Sequence, residues 1–238
     1  MATRVEFTRQ LSDMEGLLAR FAEKSATDVR AAGLAASGDR GAETGVLEGR
    51  KPADRLRQEI ESLCLDIMLM QQPLIGEDLR FVSASFRLVS DLAQIDSMTR
   101  DVAFVFSEMP TDVTNRLSDS FVHMSEHAAK MVEDSIEAFL TKNVELAQKV
   151  IASDDVLDKM YAAAEAVVVE LIRQGQPSPR SLPELLMAAK YFERIGDQAQ
   201  RIADWAVFRA TGERILTGGD HSVVGTTPPP TRMGSSPK

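Results

Sequence analysis

A single cysteine, Cys64, in a chain of 238 residues excludes an intrachain disulfide framework and a cysteine-built zinc cage. That thiol, in the helix-like run Ile60 to Met70, fits a reducing, cytoplasmic compartment. Aromatic residues make up only 5%, while Ala, Leu, Met, Glu, Arg and Gln are plentiful, so helices are favoured over strands. Glycine (14) and proline (10) are too few for a collagenous or wholly disordered protein. There is no run of about 18 apolar residues and no apolar stretch suited to secretion in Met1-Ala-Thr-Arg-Val-Glu-Phe7, so neither a membrane span nor export is expected. Positive charge is in deficit: 27 Lys and Arg face 36 Asp and Glu, for a net −9, which argues against nucleic acid as a partner. With no P-loop, no G-x-S-x-G elbow and no Cys/His nucleophile pair, no enzyme is expected.

What the sequence does contain is helical periodicity. Leu56, Ile60, Leu63, Ile67 and Met70 step by four and three, the spacing of one buried stripe, and this helix should stop before Pro73. A long helix is expected from about Gly76-Glu77-Asp78 through Phe81, Leu88, Leu92, Ile95, Val102 and Phe106 towards Pro110. A third begins near Thr111-Asp112 and carries Phe121, Val132, Ile136 and Phe139. The fourth presents Val156, Met160, Ala163, Val167 and Leu171 as its core stripe and ends at Gly175-Gln-Pro177. In the fifth, Ser181-Leu-Pro-Glu184 reads as a helix start of capping-box type, with Ile195, Ala199, Ile202 and Ala206 continuing to Thr211-Gly212. Two helices broken near Ser37-Gly38-Asp39 precede these. The tail from Thr217 to Lys238, with Gly218-Gly219 and Pro228-Pro-Pro230, has almost nothing to pack and should be disordered.

An internal repeat emerges. Pro73 and Pro177, each after Gln, lie 104 residues apart, as do Asp54 and Asp158. The expected fold is all-α: two tandem three-helix bundles over residues 1–109 and 110–215, each with its own core, then a tail at 216–238.

Two pairs of carboxylates, Asp154 with Asp158 and Glu193 with Asp197, are each four residues apart on one helix, and Asp204 extends the second stripe. Clustered carboxylates repel unless a cation or proton intervenes, and all-oxygen sites suit hard or borderline metals. At about 100° per residue the acids fall opposite the expected apolar stripes, outside the core, which leaves a merely solvated acidic face as the competing reading. Any metal would then sit on the bundle surface, unlike the inward-facing Glu-x-x-His pairs of di-iron bundles. His123 and His127, four apart, read as exposed residues with no ligand role.

The stretch Tyr191-Phe-Glu-Arg-Ile-Gly-Asp-Gln-Ala-Gln-Arg-Ile-Ala-Asp-Trp205 resembles the E-R-I-G-D-H-A-x-N-I-A-E-W segment of the PhoU family of phosphate-signalling proteins. Gln71-Gln-Pro73, Asp78-Leu-Arg80, Leu88-Val-Ser-Asp-Leu92 and Asp154-Asp-Val-Leu-Asp158 add to the resemblance, which spans roughly residues 7 to 215. It implies a duplicated three-helix fold and a cytoplasmic regulator, peripheral at the inner membrane face through its partners. Those implied partners are the phosphate ABC transporter's ATPase subunit and a sensor histidine kinase, with a homodimer as the assembly. It also implies a transition-metal ion or cluster (iron, zinc or manganese) held by Asp154, Asp158, Glu193 and Asp197. In the first half Arg50, Ala93 and Ser97 replace three of these four acids and only Asp54 is retained, so a metal site is expected in the second half alone. Gln198 and Arg201 stand where the family usually has His and Asn, and Arg201 is positioned in sequence to pair with the acids. A carboxylate-type metal-binding or storage bundle without signalling is the alternative.

Overall fold

A computed structural model describes residues 4–175 and 181–216. Within them the chain forms α1 (Arg4–Ala35), α2 (Arg40–Glu48), α3 (Arg50–Met70), α4 (Gly76–Ser107), α5 (Thr111–Thr114), α6 (Ser118–Thr141), α7 (Val144–Arg173) and α8 (Ser181–Thr211), and no strand. The expectations for Gln176-Pro177 and for the tail from Thr217 lie outside the described residues. No described helix is long and apolar enough to cross a membrane.

The breaks have local causes. Gly38 takes φ +87°, a left-handed turn that suits glycine, and Asp39 then caps α2 by accepting from the N–H groups of Gly41 and Ala42 at 3.0 Å. α3 stops at Met70, ahead of Pro73. Lys142 turns left-handed after α6, and the Asn143 side chain accepts from Leu146 N–H at 3.0 Å to start α7. The expected third helix is interrupted: a short α5 precedes α6, and Leu117, between them, leaves the helical path with its side chain buried.

α3 and α4 pair in the first half as α7 and α8 do in the second, with α1 and α6 completing each unit. The halves meet through α1 against α6 and α4 against α8, so α3 and α7 form opposite flanks. Aromatic pairs join them: Phe106 and Phe121 have ring centres 4.9 Å apart, and Phe81 and Phe139 5.8 Å. The buried side chains form one continuous cluster that runs through both units, which corrects the expectation of separate cores. Close approach of α1 and α6 depends on Gly33, where an added Cβ would lie 2.5 Å from the Ser125 Cβ.

One stripe also needs correction. On α7 the buried residues are Ala147, Val150, Asp154, Leu157, Ala164, Val168 and Leu171, a three-and-four spacing that includes an aspartate. Val156, Ala163 and Val167, expected in the core, are exposed. α8 carries Ile195, Ala199, Ile202 and Ala206 inward as expected, but α4, α6 and α7 all pack on it. No broad solvent face is left on it for acids to occupy.

Candidate metal centre

Asp154 and Asp158 come from α7, Glu193 and Asp197 from the facing surface of α8. Gly196 lets the two helices close on each other: a Cβ there would lie 2.6 Å from a Leu157 methyl and 3.0 Å from Asp154 Oδ1. The structure therefore brings all four expected residues into one region, with Asp154 and Glu193 beneath the surface. Asp154 and Glu193 are each only 8% exposed, Asp197 is half-buried, and Asp158 is open to water. The expected solvated face fails because Asp154 lies on the buried stripe of α7 and Glu193 is buried on α8.

Burial without pairing leaves two oxygens unsatisfied, Asp154 Oδ1 and Glu193 Oε2. Glu193 Oε1 accepts from Lys190 Nζ at 2.6 Å, and the same ammonium lies 4.9 Å from the centre of the Tyr161 ring. Burial, and then the nearby charges of Asp197, Asp158 and Glu193, push the Asp154 carboxyl up to about 6. Burial and Glu193 also raise Asp197, against the opposing pull of Lys190. A cation would relieve both conditions, and hard oxygen donors suit a divalent metal. The fit is in donor chemistry: among the described residues no three His, Cys, Asp or Glu side chains converge on one ion position.

Other acids and cations are used elsewhere. Asp204 is fully buried and accepts from Arg214 Nε and from the N–H groups of Ile215 (2.7 Å) and Leu216 (3.2 Å), so it fastens the segment after α8 and is no ligand candidate. Arg201 pairs at 3.3 Å with the buried Asp91 of α4 and not with the four acids; Lys190 has the neutralising position that the sequence suggested for Arg201. His123 is exposed, whereas His127 is partly buried, its Nε2 2.9 Å from the Ser153 hydroxyl and 3.1 Å from the Ser153 carbonyl oxygen. It ties α6 to α7 and meets no acid.

Sequence reasoning missed Arg209. This buried guanidinium donates to the carbonyls of Phe139 (2.8 Å) and Leu140 (3.3 Å) and to Glu15 (3.0 Å), and lies 3.9 Å from the centre of the Phe81 ring. It links α8 to α6, α1 and α4. Its place three residues after Ala206 on the inward stripe was the available signal.

Residues 121–206, from α6 to α8, match the PhoU domain. The chain is 26% identical over 213 residues to a Methanothermobacter thermautotrophicus protein described as phosphate-specific transport system accessory protein PhoU homolog 1, covering 89% of this chain and 97% of that one. A PhoU homolog of the same description in Clostridium acetobutylicum is 25% identical over 162 residues, 68% of this chain and 74% of that one. The crystal structure of the phosphate transport system regulatory protein PhoU from Streptococcus pneumoniae superposes with a TM-score of 0.78 at 22% identity, covering 88% of this chain and 99% of that one, a likeness of fold.

Proposed function

From its membership of the PhoU family we propose that the chain is an accessory regulator of phosphate transport, restraining phosphate uptake and keeping the starvation response off when phosphate is ample. The observation that carries this reading is the PhoU domain at residues 121–206, which contains the whole α7–α8 acidic region. The proposed partners are the ATPase subunit of a phosphate ABC transporter and a sensor histidine kinase at the cytoplasmic face of the membrane, with the chain itself a homodimer. Helix faces presented to partner helices are a sufficient means of recognition, and no catalytic step is required. Exposed Val156, Val167, Val169 and Ile172 on the outer flank of α7 support such docking. Deleting the gene should release phosphate-repressed secreted phosphatase in high-phosphate medium; full repression in the deletion strain would refute the proposal.

Asp154, Asp158, Glu193 and Asp197 would hold the metal, iron, zinc or manganese, which would supply the positive charge that two buried carboxylates lack. Lys190 partly offsets them in its absence. Asp197→Ala should lower the metal content of protein purified without chelator and leave it folded. The alternative, a metal-storage bundle without signalling, is supported by the same unpartnered oxygens. Protein that copurifies with the transporter ATPase but carries no metal would eliminate it.

A further inference from the structure

The α3–α4 flank holds the counterpart of the acidic centre with its charge inverted. Arg50 stands 104 residues before Asp154, and Ala93 and Ser97 stand 100 before Glu193 and Asp197. Between the helices, at this place, lies a cavity of about 260 Å³ lined by Arg50, Arg57 and Arg100 together with Asp54, Asp96 and Ser97, and floored by Phe21 of α1. Three guanidiniums around one small cavity repel one another, and although water screens Arg50 and Arg57, whose side chains are 74% and 41% exposed, a shared anion would relieve that repulsion.

The acids around it neutralise this set only in part. Asp96 is buried and already taken: it accepts from Lys24 Nζ at 3.2 Å and from Arg100. Asp54 reaches Arg50 only at 3.7 Å, and Glu61 reaches Arg57 only at 4.0 Å, both beyond hydrogen-bond range. Arg57 Nε is buried with no hydrogen-bond partner. An unsatisfied buried guanidinium N–H is a donor without its acceptor, as the unpaired oxygens of Asp154 and Glu193 are acceptors without their cation.

We propose that this cavity binds a small tetrahedral oxyanion of the phosphate class, held by Arg50, Arg57 and Arg100 with the Ser97 hydroxyl as a further donor. The planar fork of arginine matches paired phosphate oxygens, and several forks from two helices fix the anion's orientation. The cavity lies just below the roughly 300–1,000 Å³ of organic-ligand pockets, which favours a compact inorganic anion over a nucleotide. Arg100 is held below its ordinary arginine value first by burial and then by the nearby Arg50 charge, against the opposing pull of Asp54, Asp101 and Asp28, and an anion would offset the Arg50 charge. The site stands on the first half alone and does not depend on the regulatory reading or on metal in the second half.

Isothermal titration calorimetry of the full-length, chelator-treated chain with inorganic phosphate tests it. Phosphate should bind and sulfate should compete for the same site. Arg57→Lys, which keeps the charge but removes the fork, and Arg50→Ala should each weaken phosphate by about tenfold or more. Arg87→Ala, an exposed arginine elsewhere on α4, should bind as the unaltered chain does. Arg50 is largely exposed, so its variant folds even if substitutions at Arg57 or Arg100 disturb the Asp96 cluster. The proposal is overturned if phosphate gives no heat of binding, or if folded Arg50→Ala and Arg57→Lys proteins bind it with unchanged affinity.

Discussion

Asp154→Asn is expected to stabilise the metal-free protein at neutral and alkaline pH. The side chain keeps its shape and loses its charge. In the unfolded chain this carboxyl titrates near 3.8, and in the folded protein burial and its acidic neighbours raise it to about 6. Below pH 4 both states are protonated and the aspartate costs nothing. As pH rises from 4 to 6 the unfolded chain releases its proton while the folded one keeps it, so stability falls, and above about 6 the loss is complete. At about 1.4 kcal/mol per tenfold change the penalty approaches ~3 kcal/mol, and water around exposed Asp158 screens it to about 2 kcal/mol. For a protein of this size that is roughly 4–8 °C in melting temperature. Thermal unfolding of both proteins in chelator, from pH 4 to 8.5, should show curves that coincide at the acid end and separate above pH 6. If Asp154→Asn melts at or below the parent at pH 8, the carboxylate is a structural acceptor and the unpaired oxygen of Asp154 has been misread. In the expected case, added divalent metal should raise the parent's melting temperature and leave the Asn variant's unchanged.

Gly33→Ala should destabilise by about 1–3 kcal/mol in chemical denaturation, since its Cβ would press on Ser125 and force α1 from α6. Arg209→Ala should cost about 2–4 kcal/mol by leaving the Phe139 carbonyl without its buried donor, and Arg209→Lys should recover only part of it. Cys64, whose thiol burial pushes up to about 12, should resist a thiol-specific chromogenic reagent in native buffer and react in denaturant. Asp204→Ala should loosen residues 214–216, measured as faster amide exchange at Ile215 and Leu216.

Helix limits were legible because proline and glycine act locally: Pro73 and Gly38 each end or begin an element through their own backbone. The α8 stripe was legible because Ile195, Ala199, Ile202 and Ala206 are all apolar, although Glu193, Gln198, Asp204 and Arg209 are buried on the same helix. On α7 the stripe was misassigned because Asp154 occupies one of its inward positions; a search for apolar spacing passes over it and settles on the neighbouring diagonal through Val156 and Val167. The four acids could be found from their spacing and their resemblance to a known pattern, but not their burial. That depends on α4, α6 and α7 all enclosing α8, a fact of packing that a single helix's periodicity does not contain. Arg209 was missed, and Asp204 was read as part of the acidic stripe, on the same ground, since their partners lie on other helices or beyond the helix end.

The seam where α1 meets α6 and α4 meets α8 makes duplication in sequence something other than modularity in stability. Phe106 rests on Phe121 and Phe81 on Phe139 across it, so either half taken alone would present these rings to water along with the inner sides of its longest helices. Such a fragment would seek another apolar surface and self-associate rather than stand as a small domain. The two repeats should thus melt together, with a change at one flank felt by a core that the other flank shares.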